Sequence, residues 1–280
     1  MRCALAGPVP EAYVHAMSRF NPFVPSPPRV HVVRLQGPIG LGGRGLDDPS
    51  MAPVIEKAFR GKPKAVALQI SSPGGSPVQS SLIGARIRRL ADEKKLPVHA
   101  FVEDVAASGG YWIACAADDI HVDPGSIVGS IGVISASFGL HDLIGRYGVE
   151  RRVHTAGRSK SFLDPFRPEK PEDVERLNAI LEEMHEVFIG HVKARRGARL
   201  ADNPDLFTGE IRIGRKAVDE GLADGVGHLV PKMQQLYGQK VQFRRFGPRR
   251  SLFQRLGAQA AEGALGEIET RTIGARYDLW

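Results

Sequence analysis

Short runs rich in Val, Ile and Ala alternate along this chain with longer stretches whose apolar residues recur every three or four positions. Four runs read as strands: RVHVVRLQG at 29–37, KAVALQIS at 64–71, PVHAFVE at 97–103 and DIHVDP at 119–124. VERRVHT at 149–155 is a fifth candidate. Between the second and third runs, residues 78–95 place Leu82, Ile83, Ile87 and Leu90 on one helical face, with Arg86, Arg88 and Arg89 among the polar positions. Strand, helix, strand at this spacing predicts βαβ units with right-handed crossovers, hence an α/β fold. From 171 to 196, Val174, Leu177, Leu181, Met184 and Phe188 step by three and four, which predicts a long amphipathic helix. Pro171, Glu172 and Asp173 suit its first turn, where a missing N–H is harmless and negative charge meets the helix dipole. GRKAVDEGLADGVGHL at 214–229 reads as helix, glycine stop and return strand.

Residues 1–28 end in FNPFVPSPP, which sustains neither helix nor inner strand. They read as an N-terminal extension to a domain at 29–232, followed by a tail at 233–280. With 42% apolar and 25% charged residues in 280, the composition excludes collagen, a coiled coil and a wholly disordered chain. The longest stretch free of charged residues and histidine, 124–140, has 17 residues, four of them glycine, and does not read as a membrane span. The first residues meet Glu11 and two prolines before any long apolar segment, so no secretory signal is visible. Cys3 and Cys115 form no ligand or disulfide pattern, which fits a cytoplasmic location and no metal.

The formal charge is +7, and its placement matters more than its size. Lys240, Arg244, Arg245, Arg249, Arg250 and Arg255 fall between 240 and 257 with no acid among them. Phe243, Phe246, Leu252, Phe253 and Leu256 are interleaved with them. Such a tail is either simply solvated or an amphipathic contact with an anionic surface, the latter making a cytoplasmic protein peripheral to the inner membrane; no nucleic acid is expected as partner.

Three glycine-containing turns follow strand-like runs, where open α/β sheets place their sites. Ser71-Ser72-Pro73-Gly74-Gly75 closes the second strand, and adjacent glycines let backbone N–H groups approach an oxygen closely. Ala106-Ala107-Ser108-Gly109-Gly110 closes the third, ahead of the apolar helical run YWIACAA. Ser108 there is either a helix cap or a nucleophile beside the Gly109 N–H. A serine nucleophile needs a base. His121 lies in a strand-like run that suits a satisfied side chain, and Lys160, in Thr155-Ala156-Gly157-Arg158-Ser159-Lys160-Ser161, serves only if its amine can be neutral.

In order and spacing, SSPGG, VAASGGYWIACAADDIHVDPGSIVGSIGV, TAGRSK and FTGEIRIGRKAVDEGLADGVG resemble the signal peptide peptidase A (protease IV) family of serine peptidases. The resemblance covers roughly residues 30–230, is nearest to the short single-domain members, and makes 29–232 the catalytic domain. It implies a crotonase/Clp-like fold, with a repeated β-β-α core and C-terminal helices. It implies Ser108 as nucleophile and Lys160, 52 residues later, as general base, with Gly75 and Gly109 as oxyanion-hole amides and Ser130 positioning the lysine. It also implies a homo-oligomeric ring, in which serine and lysine of one site can come from neighbouring protomers. Peptide substrates such as unfolded or membrane-released signal-peptide remnants follow, with no cofactor. Two departures stand out: many members carry an N-terminal membrane helix, which is not seen here, and Ser161 stands where an acid often follows the lysine. The alternatives are acyl-CoA chemistry of the crotonase type and an inactive membrane-associated scaffold.

Overall fold

The computed structural model describes residues 26–40, 45–157 and 160–248. Among them one sheet contains β1 (Arg29–Gln36), β2 (Ala65–Ser72), β3 (Val98–Ala107), β4 (Asp119–Val122), β5 (Ile127–Gly129), β6 (Ile211–Ile213), β7 (Gly225–Val226) and β8 (Gln242–Phe246). The helices are α1 (Asp48–Ala58), α2 (Pro77–Lys94), α3 (Gly109–Ala114), α4 (His141–Arg146), α5 (Pro171–Arg196), α6 (Gly214–Asp219) and α7 (Leu229–Tyr237). Strand order is β6-β5-β3-β2-β1-β8, with β4 beside β3 and β7 beside β4. Only β5 and β6 pair antiparallel.

Alternation along the inner strands explains the two cores. Val33, Leu35, Leu68, Ile70 and Val102 point to one face and are buried beneath α1, α2 and α3. Val30, Val32, Ala65, Ala67 and Phe101 point to the other, where Met233 of α7 covers them. Helix starts follow local chemistry: Asp47 caps α1 through Ser50 N at 2.8 Å, and Ser76 precedes Pro77 at the head of α2.

β3 is the pivot. Its first half pairs with β4, and its last three residues pair with β5. Against β2 the register jumps from Ile70↔Val102 to Ser72↔Ala106, so Glu103, Asp104 and Val105 stand opposite Ser71 alone. Such a bulge re-aims whatever follows it, and here that is Ser108.

Three expectations need correction. Residues 149–155 form no strand: Glu150, Arg151 and Arg152 are exposed, and the segment joins no ladder among the described residues. The boundary at 232 cuts α7, and β8 lies within the sheet, from Arg29↔Gln242 to Val33↔Phe246. Val241 and Phe246 are buried, so the front of the basic run is an edge strand whose charges discourage further pairing, not part of a membrane-lying helix. Leu252, Phe253 and Leu256 lie outside the described residues, as does the extension up to residue 25. The stripe on α5 is covered only at its C-terminal end: Phe188 and Val192 are buried, while Val174 to Met184 are half-buried. No helix among the described residues is long and apolar enough to cross a membrane.

Candidate active site

Ser108 occupies the turn between β3 and α3 with φ 50° and ψ −121°. A residue with a Cβ held at positive φ carries about 1–3 kcal/mol of strain, which the surroundings must impose. They do so through Ser108 N, which donates to Gly129 O at 2.8 Å, and through Trp112 N, which donates to Ser108 O at 3.0 Å. Gly109 and Gly110 let α3 press close: a Cβ on the first would run into Ser80 Oγ, and on the second into the Ser72 carbonyl. The Ser108 side chain makes no capping hydrogen bond to α3. Its hydroxyl is therefore not a helix cap.

The turn after β2 folds against this serine. A Cβ on Gly74 would lie 2.7 Å from Gly109 N and 2.9 Å from Ser108 Cβ, so only glycine permits the approach. Gly75 is pinned from the other side by the strand-like segment at Ile39. Ile39 N donates to Gly74 O at 2.8 Å, and Ser76 N donates to Ile39 O at 2.9 Å. The N–H groups of Gly75 and Gly109 have no acceptor among the described residues. Two unpaired amides thus accompany a hydroxyl that is not spent on a cap.

Ser130 belongs to the same end of the sheet. It follows β5 with φ 51°, donates its N–H to Glu210 O at 2.9 Å, and adjoins the Gly129 carbonyl that anchors Ser108. Lys160 makes no hydrogen bond to this cluster among the described residues. It is exposed in a turn, and its ammonium makes no hydrogen bond or ion pair among the described residues. Around it, residues 132–170 expose Ile134 at 85%, Phe138 at 83% and Tyr147 at 79%.

His121 is removed from contention as the base. It is buried on the α7 side of the sheet, stacked on Phe101 at 5.4 Å between ring centres, with Nε2 3.4 Å from Asp119 Oδ1. His99 bridges the same Asp119, at 2.9 Å, and the Tyr237 hydroxyl, at 2.9 Å, which ties α7 to β3 and β4. Burial pushes the Cys115 thiol up to about 12, so it is inert. Among the described residues no group of three or more His, Cys, Asp or Glu could hold a metal ion. Sequence reasoning missed Ile39 and Ser80, which shape the two glycine turns. Neither carries a local signal, because each acts through a contact distant in sequence.

Residues 90–240 match the model of peptidase family S49. Over 271 residues the chain is 49% identical to a Brucella melitensis protein named Na(+)/H(+) antiporter NhaA, covering 89% of this chain and 37% of that protein. It is 32% identical over 200 residues to the chloroplastic serine protease SPPA of Arabidopsis thaliana, covering 71% of this chain and 29% of that protein. The chain therefore spans only 37% and 29% of the length of these curated relatives, and their names describe the whole proteins. Among solved structures, a serine-to-alanine mutant of the 1510-N membrane-bound stomatin-specific protease matches with a TM-score of 0.50 at 16% identity, over 80% of this chain and 100% of that one. The shared architecture is the crotonase/Clp-like α/β fold.

Proposed function

The chain belongs to peptidase family S49, and from that premise we propose that it is a serine endopeptidase using Ser108 as nucleophile and Lys160 as general base. Ser108 Oγ attacks the peptide carbonyl carbon while its proton passes to the Lys160 amine. The carbonyl pair moves onto oxygen, where the Gly75 and Gly109 N–H groups receive it. Collapse expels the amine with the proton returned by Lys160, leaving an acyl-enzyme on Ser108. Water, deprotonated by Lys160, then releases the acid and restores the serine. Ser130 positions the lysine by a hydrogen bond from its hydroxyl.

One observation carries this reading: Ser108 is strained at a strand-to-helix turn with its hydroxyl uncommitted, beside two amides that have no acceptor. Backbone strain costs stability and clusters at active sites, where donors without a partner in the chain are free to meet a substrate. The exposed apolar side chains around Lys160 support assembly into a ring, in which the segment is covered and a lysine is brought to each Ser108. A half-buried nucleophile between two turns is open to extended backbone, which favours unfolded or membrane-released peptides such as signal-peptide remnants. The same reading places the enzyme in the cytoplasm, with Arg249, Arg250 and Arg255 as its means of contact with an anionic membrane.

Hydrolysis of a fluorescently quenched unstructured peptide tests the nucleophile. Ser108→Ala should reduce turnover by about a thousandfold or more, with mass and melting temperature unchanged. Turnover above about a tenth of wild type would contradict the assignment.

A further inference from the structure

On the sheet face opposite α3, a cavity of about 540 Å³ opens between the carboxyl ends of β2 and β3 and the start of α7. Phe101, Leu229, Val230 and Pro231 form its apolar walls. Its polar side consists of Gln69, Asp123 and the bulge residues Glu103 and Asp104. The volume falls within the range of about 300–1,000 Å³ typical of ligand pockets.

The carboxylates are held in place without being used up. Glu103 accepts from Gln36 Nε2 at 3.2 Å on one oxygen and from the Gln69 amide on the other. Asp104 Oδ2 accepts from Ser71 Oγ at 3.1 Å. Asp123 accepts from Gly125 N and from His228 Nε2, each at 2.8 Å. Each carboxylate oxygen has room for a second donor, so acceptor capacity remains at all three. Gln69 Oε1 is buried and has no donor among the described residues. Two basic residues also line the cavity. His228 is spent on Asp123, and Arg245 makes no ion pair with the three carboxylates among the described residues. Acceptors therefore exceed donors beside an apolar wall.

We propose that this cavity binds the side chain of an arginine carried by an extended peptide. The methylene stem lies along Leu229, Val230 and Pro231, and the guanidinium donates to the carboxylates of Glu103 and Asp104. Five donors in a planar fork match several convergent acceptors better than the three donors of a strongly hydrated ammonium. Val230 at the mouth is 39% exposed, so a side chain enters while its backbone stays in solvent. The site stands on its own geometry and does not depend on Ser108 being a nucleophile.

The test is fluorescence anisotropy with the full chain carrying Ser108→Ala, which prevents cleavage of the probe. The probe is a labelled seven-residue peptide with one central arginine, compared with the same peptide bearing lysine or citrulline. The arginine peptide should bind at least tenfold more tightly than the citrulline peptide, with lysine between them. Glu103→Gln with Asp104→Asn should weaken binding at least tenfold. So should Val230→Trp, which fills the mouth without touching a charge, and thermal melting checks that each variant is folded. Absent binding, equal binding of the citrulline peptide, or undiminished binding in either variant overturns the proposal. Agmatine should compete only at concentrations at least tenfold above the peptide, and competition at equal concentration overturns the peptide as occupant in favour of a small guanidino compound.

Discussion

From Val98 to Gly129 most side chains are buried in one of the two cores, whereas from 132 to 170 hardly any is. The first segment is held by strand pairing on both sides of β3 and by α3 pressed onto β2. The second is held by a few ties of its own, such as Leu140 N to Pro165 O at 2.6 Å and Arg151 Nε to Asp164 Oδ2 at 3.3 Å. Its helix α4 buries no residue. The contrast separates the two halves of the proposed dyad. The place of Ser108 is a property of the folded core, while Lys160 is exposed on a segment with no buried residue among those described.

The largest effect should come from the lysine. Lys160→Arg keeps the charge but not a group that can accept a proton, so activity should fall as far as in Lys160→Ala, by about a thousandfold. Near-normal peptide hydrolysis by the arginine variant would make Lys160 an electrostatic residue and dissolve the contrast. An intermediate effect is expected from the covering surface. Phe138→Ser with Tyr147→Ser should shift the assembly toward monomer in sedimentation and lower activity by about tenfold or more, with little change in the melting of the body. Unchanged mass with full activity would show that the segment needs no partner.

The smallest effect concerns the body alone. His191 stacks flat on Trp112 at 4.1 Å and bonds to its carbonyl. Burial holds its imidazole below the ordinary 6.5, with Arg195 adding to the lowering and the Trp112 carbonyl opposing it. The folded state thus prefers the neutral ring, and the unfolded chain takes up the proton first as pH falls through 6.5. Stability should decline from there until the folded-state value is passed, then level off. Melting temperatures between about pH 8 and pH 5 should show this decline in wild type and a shallower one in His191→Phe. Identical slopes would remove His191 from the explanation.

How far the sequence reveals all this depends on whether a feature is local. The inner strands are legible because burial on both faces leaves near-continuous apolar runs, and α5 because its apolar steps persist from Val174 to Phe188, about four turns. β8 is not, since Arg244 and Arg245 dominate a five-residue edge strand and hide its fit beside β1. The bulge at Glu103–Val105 is invisible without the register of β2. Ser108 could be found as a serine between small residues, but its φ and its unused hydroxyl exist only once Gly74 and Gly129 are in place. Lys160 is the limiting case, because even the folded chain leaves it in solvent.

A fluorophosphonate probe, with the labelled residue located by peptide mass mapping, asks directly whether Ser108 is an activated nucleophile that depends on Lys160. Wild type should be labelled on Ser108 and nowhere else at comparable rate, and Lys160→Arg should lose that label while its melting temperature stays the same. Labelling at a different serine, no labelling of the assembled wild type, or equal labelling of Ser108 in the arginine variant would contradict it.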